Sequence, residues 1–331
     1  MTTATYQASV AALSSAFPGV SASMLMRRGV QLAREACELY ATAKAGDASN
    51  TSMRRPLVAA SLGPYGANLA DGSEYTGSYR FTTYAKPRLD EAVRASTHSL
   101  IHSLIHSGRC RSKEQLQEHH LGRLEAVLEE KPDVLALETL PCVWEATELL
   151  ALIDRLYQRP QLACRPPCFV SFSCSSGGQL ASGESITDAV LAGMATTTSS
   201  ITGTSYHSRH ACARATKVLE YDCVIAIGVN CCAPQLVASL LGEIRRTIDG
   251  WWSENSTRVH SRYRVDANGK QHRPMLLCYP NSGERWNASS REWEHDPEYP
   301  FATLAEALDS WVTSEGAALL GGCCRVAPAR T

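Results

Sequence analysis

The sequence predicts an α/β fold of the (β/α)-barrel type, counted one β/α unit short of the eight that close a TIM barrel. Short continuous apolar runs alternate with amphipathic stretches along the whole chain, the pattern of a parallel sheet covered by helices. About seven such runs can be counted. The residues with chemistry in them (Tyr65, Glu138, Ser173, Asn230, Cys231, Asn281, Cys323 and Cys324) fall at the C-terminal ends of runs, where a barrel gathers its active site. A doubly wound open sheet would also place ligands at strand ends, but no Gly-x-Gly-x-x-Gly follows the first strand.

The elements read as follows. Thr2–Gln7, β-branched and aromatic, predicts a strand at the start of the chain. Ser21–Ala45 predicts a helix, with Leu25, Leu32, Ala36, Leu39 and Tyr40 near helical spacing. After a polar loop over 46–55, Leu57–Leu62 is an apolar strand that ends in Gly63-Pro64-Tyr65-Gly66. The loop Ala67–Tyr79 is long enough to be functional. Helices are expected over 90–107 and 112–130, the first holding the repeat His98-Ser99-Leu100-Ile101 and His102-Ser103-Leu104-Ile105, then His106. Val134–Leu137 is a strand leading into Glu138, followed by a helix over 144–158. Phe169–Ser173 is a strand, and a Gly/Ser loop separates it from a helix over 186–194. A further helix over 209–219 precedes the strand 224–227, and another helix runs over 234–248. Met275–Tyr279 is a strand, 304–314 a helix and Ala317–Leu320 the last strand.

The chain has 331 residues with a hydrophobic content of 44%, enough for one large core, and reads as a single domain over 1–331. Its net charge of −1 lacks the basic tract that grips phosphate backbones, so nucleic acid is not an expected partner. No apolar run approaches the ~20 residues of a membrane span. The first residues carry no basic-then-apolar leader, and the 13 cysteines, odd in number and partly adjacent, read as free thiols rather than a disulfide framework. A cytoplasmic location is the expectation.

Two strand ends share one grammar: Val224-Ile225-Ala226-Ile227 runs into Gly228-Val229-Asn230-Cys231-Cys232, and Ala317–Leu320 runs into Gly321-Gly322-Cys323-Cys324. A lone Cys-Cys pair is more often core than ligand, but two glycine-flanked pairs at strand ends point to a metal. Gly321-Gly322 is expected to let the backbone turn so that Cys323 and Cys324 face one ion. With Cys231 they make three sulfur ligands for zinc and leave a position open, as a catalytic site does. A soft three-sulfur site favours a substrate thiol there, and Glu138 at a neighbouring strand end suits a substrate ammonium. Cys232 is expected to point away from Cys231. The His98, His102 and His106 stripe has i, i+4 spacing but lies far from the cysteines in sequence, and no role is assigned to it.

These motifs resemble the homocysteine S-methyltransferase family. Gly228–Cys231 and Gly321–Arg325 look like its zinc motifs. Ser61–Ala67 and Leu69–Tyr75 resemble the branch that takes methyl from S-methylmethionine or S-adenosylmethionine rather than betaine, and Leu137-Glu138-Thr139, Ser171-Phe172-Ser173 and Tyr279–Glu284 fit that branch. The match runs in order from Thr2 to Pro328. It implies a TIM barrel, Zn2+ held by Cys231, Cys323 and Cys324, and homocysteine sulfur in the open position. It also implies Glu138 on the homocysteine amino group, with Tyr65, Ser173 and Asn230 as further substrate contacts. The partners are then small molecules, homocysteine and a sulfonium donor, and the product is methionine. The departures are a first β/α unit not found before Thr2, Ser182 where the family usually has Asp, and insertions near 95–112, 196–215 and 250–273. They leave a zinc-binding but inactive homologue, or a betaine-dependent enzyme, as the competing readings. The sequence does not indicate an oligomeric state.

Overall fold

The computed structural model describes residues 1–45, 55–79, 112–197, 218–220, 223–256, 264–287, 292–295 and 304–326. The expected helix over 90–107 with its histidine repeat, the loop over 46–54 and most of the insertions near 95–112 and 196–215 lie outside them. Of the expected helix over 209–219, only the last two residues are described, and they belong to a strand, Val218–Glu220, paired antiparallel with Ala195–Thr197.

Six strands form one parallel sheet in chain order: β1 (Ala59–Leu62), β2 (Val134–Leu140), β3 (Cys168–Phe172), β4 (Val224–Asn230), β5 (Met275–Tyr279) and β6 (Ala317–Leu320). Sequential parallel order is what β/α repetition produces, because each strand needs a crossover to return in the same direction. Among the described residues the sheet stays open, running from β1 to β6. The expected strand Thr2–Gln7 is a single parallel bridge, Thr2 with Ala59, rather than a full ladder. Its hydroxyls explain the difference. Thr3 Oγ1 accepts from Ser61 N at 2.9 Å and Thr5 Oγ1 donates to Ser61 O at 2.7 Å, taking the backbone groups a ladder would use. The segment still lies along β1, for Gly63 N donates to Tyr6 O at 3.2 Å.

Among the described residues the helices are α1 (Val10–Ala16), α2 (Ala22–Ala45), α3 (Tyr65–Leu69), α4 (Lys113–Glu129), α5 (Val143–Tyr157), α6 (Ile186–Met194), α7 (Val237–Asn255) and α8 (Leu304–Thr313). The α4 start follows from Ser112, whose hydroxyl accepts from Gln115 N at 3.2 Å. α7 buries Val237, Leu240, Leu241, Ile244 and Ile248, one apolar stripe of an amphipathic helix. It runs further than its apolar spacing suggests, into the insertion near 250–273. In α2 the buried stripe is Met26, Val30, Ala33 and Cys37, not the expected one: Leu32 is 50% and Leu39 73% exposed. Both sets keep helical spacing, so periodicity alone could not choose between two apolar faces. No helix of the described residues is long and apolar enough to cross a membrane.

One large cluster of buried side chains lines the sheet and the inner faces of α2 and α4–α8. β2, β3 and β4 are buried almost throughout, as central parallel strands must be. Their C-terminal ends, with those of β1, β5 and β6, carry Glu138, Asn230, Ser61 and Tyr279 among the described residues. The site is built there.

Candidate metal and substrate site

Cys231 follows β4 directly and takes a left-handed backbone conformation, φ 51°. Such geometry is uncommon for a residue with a Cβ and is found where surrounding structure fixes it for a purpose. What fixes it is the segment after β5. Cys231 N donates to Tyr279 O at 3.3 Å and Asn281 N to Cys232 O at 3.1 Å. On the other side, Cys323 N donates to Pro280 O at 2.8 Å and Ser282 N to Cys324 O at 3.1 Å. Tyr279–Ser282 therefore laces the β4 and β6 ends together. Gly321 and Gly322 are not at positive φ; the left-handed residues nearby are Gly283 and Arg325. Gly322 is required for room, since a Cβ there would run into the Val326 side chain. The turn that brings Cys323 and Cys324 to one side thus depends on close approach, not on the glycine φ freedom the sequence suggested.

The result is three sulfurs, of Cys231, Cys323 and Cys324, all within 4.8 Å of one another. Cys231 and Cys323 are paired as a disulfide, with Cα atoms 5.6 Å apart. The sequence reading has both as zinc ligands. Cys324 Sγ lies 3.6 Å from Cys231 Sγ. Tetrahedral thiolate ligands at ~2.3 Å from zinc stand ~3.8 Å apart, so the donor set and its spacing fit such an ion once the Cys231–Cys323 pair is reduced. Cys324 is exposed, which leaves the cluster an open side. Cys232 is buried in the core, and burial pushes its thiol up to about 12, so it stays a neutral bystander.

Glu138 stands beside β1, β3 and β5. β2 has a register break between Leu137 and Leu140, and Thr139 takes φ 63°. A bulge of this kind re-aims a side chain at a strand end. Glu138 accepts from Tyr279 Oη at 2.9 Å on Oε2 and from the Ser61 hydroxyl on Oε1. Burial raises its carboxyl above the usual range, while these two bonds pull it back. Asn230 is fully buried and holds the bulge: its Oδ1 accepts from Thr139 N at 2.8 Å and its Nδ2 donates to Thr139 Oγ1 at 2.8 Å. Ser171 Oγ completes the group, 2.8 Å from Asn230 Oδ1 and 2.6 Å from Tyr279 Oη. The structure therefore places Asn230 behind Glu138, as a brace.

Tyr65 is not brought to the thiols. It opens α3, where its N–H donates to Glu145 Oε1 at 2.7 Å. Its ring packs against Tyr79 and His119, and its hydroxyl accepts from Gln115 at 3.1 Å. The fully buried Glu145 also receives the Tyr79 hydroxyl and lies 2.8 Å from His120 Nε2. Ser173 Oγ donates to Glu74 O at 2.9 Å, which fixes the short 3-10 turn Ser73–Tyr75 over the site. Tyr75 Oη sits 3.9 Å from Cys231 Sγ. Burial, with the charges of Cys324 and Glu74, pushes this phenol up to about 12. Tyr75, Glu74, Tyr279, Ser61 and Ser171 carry no site role in the sequence reading. The first two stand in a run, Asp71-Gly72-Ser73-Glu74-Tyr75, whose polarity marks a loop but not its direction.

The whole chain, residues 1–331, matches the family model described as homocysteine S-methyltransferase. The chain is 31% identical to Homocysteine S-methyltransferase of Escherichia coli (strain K12) over 330 residues, 99% of this chain and 76% of the relative. It is 29% identical to Homocysteine S-methyltransferase 3 of Zea mays over 329 residues, 98% of this chain and 72% of the relative. Among solved structures it is similar to the metallated form of the homocysteine methyltransferase MmuM from Escherichia coli, with a TM-score of 0.60 at 26% identity, covering 99% of this chain and 76% of that one.

Proposed function

Because the chain belongs to the homocysteine S-methyltransferase family, whose members are methyltransferase enzymes, we propose that it transfers a methyl group from S-methylmethionine, or from S-adenosylmethionine, to the thiol of homocysteine. The observation that carries the reading is the convergence of three sulfurs from the ends of β4 and β6, with Glu138 at the end of β2 tied to them through Tyr279. The likeness to MmuM supports assigning the open parallel sheet to the TIM-barrel class, in one domain over 1–331. In this reading Cys231, Cys323 and Cys324 hold Zn2+. When bound, zinc supplies the charge that keeps a substrate thiol deprotonated near neutral pH.

The chain's own residues do the rest by positioning. Glu138, set by Ser61 and Tyr279, takes the ammonium of homocysteine on its remaining lone pairs. That contact points the substrate sulfur at the cysteine cluster. Transfer forms a bond from the homocysteine sulfur to the methyl carbon and breaks the bond from that carbon to the sulfonium. The bonding pair stays on the departing neutral thioether, and the homocysteine thiol proton goes to solvent. No general acid is needed, so orientation carries the rate.

The test is reduction of the protein, loading with zinc, and measurement of methionine formed from homocysteine with S-methylmethionine, S-adenosylmethionine or betaine as donor. Methionine from the sulfonium donors is expected. Stoichiometric zinc with no methionine from any donor would overturn the activity, and turnover with betaine alone would overturn the donor. A cytoplasmic location goes with the need for reduced thiols.

A further inference from the structure

Two carboxylates stand near the cysteine cluster, and they differ in what they hold. Both oxygens of Glu138 are engaged, by Ser61 and Tyr279. Glu74 is only 6% exposed, yet its Oε2 is buried and accepts no hydrogen bond from the described residues. A buried carboxylate oxygen without a donor is costly to keep and uncommon in folded proteins. Its place is held from outside: Ser173 anchors the Glu74 carbonyl, and the Asp71 side chain accepts from Ser73 N and Oγ at the start of the turn.

The charge of Glu74 acts on two phenols, Tyr75 and Tyr6. Tyr75 is the residue whose hydroxyl lies 3.9 Å from Cys231 Sγ. Tyr6 packs its ring against Gly63, where a Cβ would strike Tyr6 Cδ2 at 2.6 Å. The charge of Glu138 also acts on Tyr6. Glu74 therefore sits in the turn that carries Tyr75 to the cluster, one residue before it. A sulfonium has a full positive charge and no N–H or O–H to donate. It cannot satisfy a set of hydrogen-bond acceptors as an ammonium does. What it can use is an unpaired carboxylate oxygen with aromatic rings beside it.

We propose that Glu74, with Tyr75 beside it in the turn, is the counter-ion that seats the sulfonium centre of the methyl donor next to the thiol site. The proposal rests on the methyl-transfer reading above and deepens it by dividing the carboxylates: Glu138 for the acceptor's ammonium, Glu74 for the donor's sulfonium. Glu74 acts by placing a carboxylate oxygen beside the sulfonium.

The experiment is calorimetric titration of S-methylmethionine, and separately of methionine, into the reduced, zinc-loaded full chain and its Glu74→Gln variant, with turnover measured on the same samples. Glu74→Gln is expected to weaken S-methylmethionine binding by about tenfold or more, equal to about 1.4 kcal/mol. Methionine has the ammonium and carboxylate but no sulfonium, and its binding should stay within about twofold, as should the KM for homocysteine. Binding of S-methylmethionine within about twofold of wild type would overturn the proposal while leaving the methyltransferase reading intact. Equal weakening of both ligands would also overturn it, since Glu74 would then be reading the ammonium. A wild-type protein that neither binds S-methylmethionine nor forms methionine would remove both readings together. Should the variant not fold, trimethylsulfonium in excess tests the wild type directly. It should displace S-methylmethionine, and failure to compete at all would overturn the assignment.

Discussion

At the scale of single residues, the site separates groups that bind from groups that hold. Cys324 is the exposed member of the sulfur trio, and its Sγ lies 3.6 Å from Cys231. Cys324→Ala should leave two sulfurs and no stoichiometric zinc after dialysis, with activity lost in parallel. Metal analysis showing one zinc per chain in that variant would remove Cys324 from the ligand set. Glu138→Gln should keep zinc and weaken homocysteine binding by roughly 10- to 100-fold, the range of a lost charge-assisted bond. Its pH profile carries a second signature. Burial raises the Glu138 carboxyl, so its charge is lost earlier as pH falls than that of an ordinary carboxylate. Homocysteine affinity in the wild type should decline over that window, and Glu138→Gln should show no such decline. An unchanged affinity in the variant would take Glu138 out of the site.

At the scale of elements, β2 and β4 depend on each other through Asn230. Its amide supplies the partners of Thr139 at the left-handed position of the bulge. Asn230→Ala leaves the Thr139 N–H buried without its acceptor, which should cost about 1–3 kcal/mol in a urea titration. The KM for homocysteine should rise as well, because Glu138 sits on the bulge that relaxes. A midpoint equal to wild type would show the brace to be dispensable. This pairing also shows what could be read in advance. The strand-to-glycine-to-cysteine runs and Glu138 were legible because each is local: an apolar run, then a residue with its own chemistry. Asn230 was visible as a polar residue at a strand end, but its side chain turns inward to a residue 91 positions away. No spacing rule carries that information. The direction of Tyr65 was not legible for a related reason: it begins a helix, and helix geometry points it at α4. α1 went unread because none of its seven residues is buried and it shows no apolar stripe.

At the scale of the whole molecule, a buried polar group behind α3 ties the chain together away from the chemistry. Arg123, fully buried, donates to Gly63 O and Tyr6 O, each at 2.7 Å, and joins α4 to both the N-terminal segment and the end of β1. Its neighbours His119 and His120 are held neutral. Burial, with the charges of His120 and Arg123, depresses His119 to about 2, and burial with Arg123 depresses His120 well below its ordinary 6.5. In the unfolded chain both take protons near 6.5; in the folded chain neither does above the depressed values. The unfolded state thus binds more protons below about 6.5, and stability falls as pH drops through that point, by up to about 1.4 kcal/mol per pH unit for each histidine. Glu145, raised by burial, works in the opposite direction. Urea midpoints measured from neutral pH down to pH ~5 should show the loss, and His119→Gln should reduce the slope by about one proton. An identical slope in that variant would mean His119 is protonated in the folded state. The parallel, sequential sheet was legible in the sequence as repetition. Whether it closes is not a property of any one repeat, because closure depends on how the two edge strands meet.

The lacing of the β4 and β6 ends through Tyr279–Ser282 has a consequence for how the molecule holds its last strand. β6 has only Ala317 buried, while Leu319 and Leu320 are more than a third exposed. It has little hydrophobic anchorage of its own. The sulfurs at its end reach back 92 residues to Cys231, so an ion or a bond joining them acts as a buckle on the final stretch of chain. Segments with few buried contacts open first, and metal binding in such a setting is also folding free energy. The same three sulfurs that would ready a thiol for methylation therefore decide how firmly the end of the sheet is fastened. Loss of the metal would register first as loosening of that strand.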